Sequence, residues 1–564
     1  MKSRTSFFNL HVLRKNMLRF APVWVLYTVG WVLFLALMFQ NSDRPLHIAQ
    51  DFSGTIKALP WLNLLYAGLC AALLFGDLFS PRMCNALHAM PIRREGWLLT
   101  HLASGILFAL IPYGIAALFS LLFLDIFSVV AGVFFGVAML QFLFFFCCGI
   151  FSAVSAGNRL GMAAVYFIVN FLMLLLAALV HLLYIPLLHG VKLDESILLA
   201  FLPVTQMPNL NFMDNWVPVW DGFAHMLIYD AVGIGILLLA IWIYRRRKLE
   251  SAGDFIALKP LRPFFLGFYT LGMAATFYLL SQISGEGLEL ILLITGFIVG
   301  YFTGKMLLER TLKVFNPRSL LVFLLSAAVF AGSLVLTVLD PLGITRYVPD
   351  AQQVAWMRMY NSDDVIFYGT ENTYQEHKVT EPADIMYLQQ LHRQIIANPN
   401  TEEGTYYQIN FEYELTNGMI IKRYYTVKVG TELSDHVEKY LSEPESVFHV
   451  NDFDVYAKTV NGITVDWFHG DFAGDIQLDI TDNQKIARFL EAVKEDCNAG
   501  HMTQEWNLHN DGDTDIITGW LYITSGSKNN SRTTNIFFTE ACTQILDVLE
   551  DLSEKHPDQT AQPE

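Results

Sequence analysis

The feature that most constrains this sequence is a series of nine apolar runs, each long enough to cross a lipid bilayer as a helix. A helix needs about 20 apolar residues to cross roughly 30 Å of hydrocarbon. The chain of 564 residues is 53% apolar, more than a soluble protein usually contains. These runs predict an α-helical polytopic membrane domain, with spans at 21–38, 61–79, 98–124, 127–154, 160–184, 224–244, 264–283, 290–308 and 320–339.

Charge separates the chain into two unlike parts. Residues 341–564 carry 15 basic and 37 acidic side chains, a net charge of −22. The first 340 residues carry the other 22 basic and 16 acidic side chains, a net charge of +6. The acidic part alternates strands with amphipathic helices, which predicts a soluble α+β domain after the membrane domain. Its acidity argues against nucleic acid as a partner, because phosphates would be repelled.

The distribution of basic residues predicts the orientation of the spans. With the N-terminus in the cytoplasm, the inner segments hold 19 Lys or Arg residues and the outer segments hold only three. This bias follows the positive-inside rule of plasma-membrane proteins. The predicted order is a cytoplasmic interfacial helix at 1–20, six spans within 21–244, a cytoplasmic linker at 245–263, three further spans within 264–339, an extracytoplasmic domain at 340–553 and a flexible tail at 554–564.

The outer segment 185–223 is more apolar than a simple loop. Residues 197–203 are apolar but too few to span the bilayer, and Pro203 and Pro208 interrupt them. Two interpretations stay open. The segment is either a re-entrant or interfacial piece, or an apolar loop packed under the external domain.

The short segment 81–97 lies between the second and third predicted spans and carries three arginines. Its charge predicts a cytoplasmic position. A proline and a glutamate within it are not required for topology, which favours a docking surface for another protein over a segment that only binds lipid phosphates. The candidate docking residues are His88, Pro91, Ile92, Arg93, Arg94 and Glu95.

A second basic run lies directly at the end of the sixth predicted span. Four consecutive bases at such a position predict a stop-transfer anchor that fixes topology rather than a binding site. These residues are Arg245, Arg246, Arg247 and Lys248.

Few polar residues lie inside the predicted spans. Asp230 lies within the sixth span, where an acid suggests a transport pathway or a partner, whereas Asp77 lies near a span end and is predicted to be hydrated. Gly296, Gly300 and Gly304 recur every four residues, which predicts close helix packing. The spacing around Gly304 does not match a phosphate-binding loop.

One order of elements recurs in the acidic part. Alternating residues on both sides of Asn417-Gly418 predict a β-hairpin. Helical spacing precedes it at 382–398 and follows it at 432–441. Helices at 482–497 and 540–552 flank later strands in the same way, which predicts a duplicated helix–hairpin–helix unit.

The acidic part shows no residue set with catalytic or metal-binding spacing. An aspartate-rich stretch at 511–515 lacks the glycine and the final glutamate of a calcium loop. A His/Glu stretch at 501–509 lacks the spacing of a zinc site. We therefore expect no catalytic residue, metal or cofactor in this chain. Whether Cys497 and Cys542 form a disulfide stays open.

Three stretches together resemble the permease subunit of a bacterial ABC exporter of the type-2 class, whose membrane fold is related to that of ABCG transporters. The first is the basic N-terminal helix that enters the first span. The second is 87–94, Leu-His-Ala-Met-Pro-Ile-Arg-Arg, which is similar to the Leu-x-x-x-Pro-[Ile/Leu/Val]-x-Arg pattern. The third is 245–254, Arg-Arg-Arg-Lys-Leu-Glu-Ser-Ala-Gly-Asp. The resemblance covers roughly residues 1–260. The three extra spans and the external domain are similar to an extension in some Gram-positive members.

The resemblance implies partners that this chain lacks. A separate ABC ATPase subunit would bind ATP and Mg, and a second permease subunit, identical or different, would complete the transporter. A short helix between the second and third spans would transmit closure of the ATPase dimer. On this sequence Pro91 would end that helix, and Arg93, Arg94 and Glu95 would dock on the ATPase.

Three functions are compatible with these features. The leading one is an exporter permease that moves an amphipathic or hydrophobic substrate, such as an antimicrobial peptide, an antibiotic or a lipid-like molecule, and so contributes to antibiotic resistance. The alternative is a membrane sensor or regulatory protein whose external domain binds an envelope ligand, although the inner loops are too short for a signalling domain. A membrane-anchored enzyme is disfavoured, because nine spans exceed what an anchor requires.

Overall fold

The computed structural model describes residues 8–40, 45–89, 93–123, 128–191, 202–206, 211–212, 218–219, 223–284, 287–361, 377–398, 406–448, 450–468, 475–502, 517–527 and 530–554. The chain divides into two compact units. The first unit comprises Met1–Pro186 and Leu193–Val335. The second comprises Leu187–Lys192 and Leu336–Glu564.

The first unit is built from helices. It also contains one short antiparallel strand pair, β1 (Asn211–Phe212) and β2 (Pro218–Val219), which lies in the chain between the helices Pro203–Gln206 and Phe223–Arg246. The helices are α1 (Leu10–Arg19), α2 (Ala21–Gln40), α3 (Pro45–Leu74), α4 (Pro81–His88), α5 (Arg94–Phe123), α6 (Ser128–Ser155), α7 (Arg159–Leu183), α8 (Pro203–Gln206), α9 (Phe223–Arg246), α10 (Leu261–Ser284), α11 (Glu289–Glu309) and α12 (Pro317–Leu339).

Among the described residues, seven helices are long and apolar enough to cross a membrane, and they fall at the third to ninth predicted spans. The first predicted span lies in α2, which passes the same test only together with α1, at a bend of 60°. The second lies in α3, whose described apolar stretch Ala58–Leu74 is shorter than a full span. The helical, multi-pass class is therefore confirmed, and seven or eight of the nine predicted spans are found among the described residues.

Helix α6 lies at the centre of the first unit and packs against α3, α5, α7 and α9. Its buried face is aromatic, including Phe142, Phe145 and Phe146. Buried hydrogen bonds also cross this core; for example, the Asn63 side chain donates to the Ala138 carbonyl at 3.1 Å. A buried amide with partners adds specificity to packing that is otherwise non-directional.

The three predicted packing glycines lie where α11 crosses α10. A Cβ on Gly296 would lie 2.7 Å from the Met273 carbonyl oxygen, and one on Gly300 would lie 3.0 Å from the Thr270 Cα. A Cβ on Gly304 would lie 2.9 Å from the Tyr269 ring. Side chains at these positions would separate the helices, so glycine sets the distance between them.

The second unit contains two lobes, each with an antiparallel sheet and helices. The first lobe has β3 (Val354–Asn361), α13 (Pro382–Ala397), β4 (Tyr406–Leu415), β5 (Ile420–Lys428) and α14 (Glu432–Leu441), with sheet order β3-β4-β5. Two short helices follow, α15 (Pro444–Val447) and α16 (Phe453–Ala457). The second lobe has β6 (Val460–Phe468), β7 (Asp475–Ile480), α17 (Asn483–Asn498), β8 (Ile517–Ser527), β9 (Asn530–Thr539) and α18 (Thr543–Glu554), with sheet order β7-β6-β8-β9.

The α+β class predicted for the end of the chain agrees with these two lobes. In the first lobe β3 is followed by α13, the β4–β5 hairpin and α14; in the second lobe β6 is followed by an additional strand, β7, and then by α17, the β8–β9 hairpin and α18. In each lobe the first strand, β3 or β6, pairs antiparallel with the first strand of the later hairpin. Asn417-Gly418 turns the first hairpin, with Gly418 at φ +81°. This shared order is what an internal duplication would produce, and common descent stays a prediction. The predicted flexible tail lies outside the described residues from 555 onward.

The outer segment 185–223 divides between the units. Residues Leu187–Lys192 belong to the second unit, where Val191 pairs with Arg423 on the edge of β5 and the Tyr424 amide donates to the Gly190 carbonyl at 3.1 Å. Helix α8 belongs to the first unit and packs against α3. Residues 193–201 lie outside the described part of the chain.

Candidate functional site

Helix α4 forms the centre of the candidate site and occupies the first half of segment 81–97. Pro81 starts the helix, a position where its missing amide costs nothing. Cys84 faces inward and is buried, whereas Arg82, Met83 and Asn85 are exposed. Burial raises the pKa of the Cys84 thiol, and Arg247 and Arg94 act in the opposite direction. Helix α4 therefore has one face packed beside two arginines and one face open to a partner.

The predicted docking residues are placed unequally. His88 ends α4, and its side chain lies outside the described part of the structure, as do Pro91 and Ile92. Arg93 is exposed just before α5. Arg94 and Glu95 begin α5 and are only partly exposed, because both are held by the chain itself.

Arg94 and Glu95 connect the start of α5 to the end of α9. The Arg94 Nη1 donates to the Arg247 carbonyl at 3.0 Å and to the Arg245 carbonyl at 3.3 Å. The Glu95 Oε1 lies 2.8 Å from the Arg245 Nε. The last carbonyls of a helix lack partners within the helix and carry partial negative charge, so a guanidinium is a suitable group to cap them.

Arg247 has the most internal position of the basic run. Its side chain is buried, with 9% exposure. Its Nη1 donates to the carbonyls of Ala153 and Val154 at 3.0 and 2.8 Å, and its Nη2 donates to the Leu78 carbonyl at 3.2 Å. Burial lowers the pKa of the guanidinium, and three carbonyls replace the water it has lost. Arg247 thus joins the end of α6 to the turn that precedes α4.

The other three bases of the run face outward. Arg245 pairs with Glu95 while remaining half exposed, and Arg246 lies 4.2 Å above the Trp242 ring. Lys248 is exposed. These positions suit the predicted anchor role, which stays a prediction, whereas the burial of Arg247 was not predicted from the sequence.

The linker after α9 folds back onto the turn between α6 and α7. The Gly253 amide donates to the Gly157 carbonyl at 2.7 Å, and the Ala257 amide donates to the Ser155 carbonyl at 2.9 Å. A Cβ on Gly157 would collide with the backbone of Asp254, so this close approach requires glycine. The linker also packs against α4 through its short 3-10 helix Leu249–Ser251.

Four segments therefore meet at one place, which we call the loop junction. They are residues 76–89 with 93–94, the turn between α6 and α7, the linker between α9 and α10, and the end of α1. The last joins through Arg19, whose Nη1 lies 3.8 Å from the Asp77 Oδ1. Helix α4 itself joins the junction by packing against the 3-10 helices Gly76–Phe79 and Leu249–Ser251.

The other sequence-predicted features hold no comparable site. Within the described residues, no three His, Cys, Asp or Glu side chains are grouped to hold a metal. The stretch 503–516, which includes the aspartate-rich segment, lies outside the described part. Cys497 and Cys542 are both buried and are not joined by a disulfide. The Cys542 Sγ lies 3.3 Å from the His501 carbonyl oxygen.

No protein-family model matches the chain, and a search of curated proteins finds no match.

Proposed function

We propose that this chain is the membrane-spanning permease subunit of an ATP-driven exporter, and that a separate ATPase subunit docks on α4. The observation that carries the proposal is the loop junction. Helix α4 offers an exposed face and packs against the 3-10 helices Gly76–Phe79 and Leu249–Ser251. Arg247, just after α9, joins the first of these 3-10 helices to the end of α6. A partner that moves α4 therefore moves the spans.

The docking surface we propose differs from the one the sequence favours. Arg94 and Glu95 hold α5 to α9, so we assign them to transmission of the movement. The exposed residues Arg82, Met83 and Arg93 are assigned to contact with the ATPase. Exposed charges at an interface mainly set orientation and association rate, and an apolar side chain such as Met83 adds contact area.

The apolar surface of the helices supports a bilayer-embedded chain with an amphipathic or hydrophobic cargo. Leu238 of α9 and Leu325 of α12 are each more than 60% exposed, as lipid-facing side chains are. A second permease subunit would cover part of this surface.

Charge reversal tests the docking face. We expect Arg82→Glu combined with Arg93→Glu to abolish co-purification of the ATPase subunit, while the permease still inserts in the membrane. Arg246→Glu is the matched control, because Arg246 is an exposed base whose ring contact lies on its own helix. Normal recovery of the ATPase with the double variant would contradict the proposal.

A second candidate function is favoured by one observation. The segment Leu187–Lys192 directly follows α7 and its 3-10 turn, yet it is built into the second unit. A ligand that changes the conformation of the second unit would then act on α7 through this segment, as the function of a sensor requires. Ligand-dependent change in the exposure of this segment, without any ATPase partner, would favour the sensor.

A further inference from the structure

Asp230 lies in α9, seven residues after its first residue. Neither carboxylate oxygen is exposed, and neither has a hydrogen-bond donor among the described residues. Two other acids of the first unit pair with arginines: Asp77 with Arg19, and Glu95 with Arg245. Asp230 is thus an acidic side chain in a candidate span with no positive partner in the part of the chain described here.

An unpaired carboxylate is among the least favourable groups to place at membrane depth. Without a counter-charge it must take up a proton or bind a cation. The loop junction does not use Asp230, so packing and transmission of movement do not account for it. The site therefore calls for a proton or for a positive charge that the described residues do not supply.

The position of Asp230 on α9 shows how a ligand would reach it. Met226 and Gly233, four residues before and three after, are buried. Leu227 and Ile234, three before and four after, are 48% and 57% exposed. Residues at these spacings share a helix face with Asp230, so its side chain lies on the border between the packed face and the open face. Contact between the carboxylate and a ligand on the open side requires a change of the Asp230 rotamer.

The packed side of this border leaves little room. A Cβ on Gly233 would lie 3.2 Å from the Phe144 ring and 3.8 Å from the Cys147 Cβ. No basic side chain is part of these contacts. A ligand that pairs with Asp230 must therefore come from the open face, along exposed apolar residues such as Leu238.

We propose that Asp230 binds the cationic group of an amphiphile whose apolar part lies along the open face of α9. The interpretation of this site as a cargo site rests on the proposed exporter function. Binding of the cation itself does not require an ATPase.

Binding of a simple probe to the full-length chain tests this assignment. The probe is dodecyltrimethylammonium, and dodecanol is the uncharged comparison, both measured on chain reconstituted in phosphatidylcholine nanodiscs. We expect Asp230→Asn to weaken binding of the cation at least tenfold and to leave dodecanol unchanged. Asp230→Glu keeps the charge and should retain binding. Glu289→Gln is the control, because Glu289 is an exposed acid at the start of α11, outside the loop junction.

Each other outcome would overturn the proposal. Equal binding of the cation by wild type and Asp230→Asn would show that the carboxylate is not the site. Equal losses of both probes would assign it to folding, and Asp230→Glu would then share the loss. A changed oligomeric state of Asp230→Asn would assign the carboxylate to contact with a second copy. Because no ATPase is present in the binding assay, failure here leaves the proposed function standing.

Discussion

Arg94 donates a 3.0 Å hydrogen bond to the backbone carbonyl of Arg247, while the Arg247 side chain reaches back to the carbonyls of Ala153 and Val154. Two arginines from distant parts of the chain thus cap two helix ends in succession. Each guanidinium is oriented by backbone oxygens, which cannot rotate away as side chains do. This arrangement makes the loop junction a rigid connection between α5, α6 and α9.

Replacing Arg247 should destabilise the first unit. In Arg247→Met, three carbonyls of the junction lose their donor without regaining water, which costs about 3 kcal/mol of folding free energy. Arg246→Met is the matched control, and as a surface substitution it should change stability by less than about 0.5 kcal/mol. Thermal unfolding of the purified full-length chain measures both. Equal melting temperatures for the two variants would contradict the buried role of Arg247.

The Glu95–Arg245 ion pair should contribute orientation more than stability. Both side chains are partly exposed, so their coupling energy is expected to stay below about 1 kcal/mol and to fall with added salt. Glu95→Arg should impair ATP-driven transport, because it places like charges together at the α5–α9 contact. The swap Glu95→Arg with Arg245→Glu should restore transport. Failure of the swap, with normal expression, would point instead to direct contact of Glu95 with the ATPase.

Close packing of α10 and α11 depends on glycine at Gly296, which lies at the contact between the helices, but not at Gly272, which lies away from it. A Cβ on Gly296 would lie 2.7 Å from the Met273 carbonyl oxygen, whereas a Cβ on Gly272 would meet nothing within 4 Å. We expect Gly296→Ala to lower stability by about 1–3 kcal/mol through overpacking. Gly272→Ala should be neutral or slightly stabilising, because alanine favours the helix. A comparison of their melting temperatures decides, and similar values would contradict the packing described for α11.

His392 should make the second unit sensitive to acid. Its Nδ1 lies 2.6 Å from the Tyr413 Oη and its Nε2 lies 2.9 Å from the Tyr425 Oη. Burial lowers the pKa of His392 to about 3 from its ordinary 6.5. Between these values the unfolded chain binds more protons, so the contribution to stability is present above about pH 6.5 and is lost as pH falls towards about 3.

The expected loss between about pH 7 and about pH 5 is roughly 2 kcal/mol. Hydrogen exchange of the α13 amides in the full-length chain, corrected for intrinsic rates, measures it. His392→Gln should remove this part of the pH dependence while other histidines continue to titrate. An unchanged pH dependence in the variant would show that His392 is not responsible.

Much of the fold follows from periodicity and charge. Apolar length identifies most of the membrane helices, and Asn417-Gly418 identifies the first hairpin of the second unit, because these signals are local. The burial of Arg247 follows from tertiary structure. Four adjacent bases look alike in the sequence, and only the linker that folds back at Gly253 and Gly157 separates Arg247 from the other three. Burial that depends on backbone contacts with distant segments leaves no periodic pattern in the sequence.

The candidate site also has features that the sequence predicts and features that only the tertiary structure determines. The sequence locates the 81–97 segment and its charge, but it does not distinguish bases that face a partner from bases that cap helices. Arg93 and Arg94 are neighbours, yet Arg93 is exposed and Arg94 is committed to two carbonyls. For Asp230, the sequence reveals an acid in an apolar run, and only the structure shows that its oxygens have no donor in the described part of the chain.

Site-specific photo-crosslinking from α4 in native membranes tests the central claim most directly. A photoreactive residue at Met83, which is 45% exposed, should capture an ABC ATPase that mass spectrometry identifies by its phosphate-binding loop. The same residue at Leu312, which is 77% exposed between α11 and α12 on the side predicted to be cytoplasmic, should capture much less of it. Capture of no ATPase from Met83, or equal capture from both positions, would contradict the proposal that a motor subunit docks on α4.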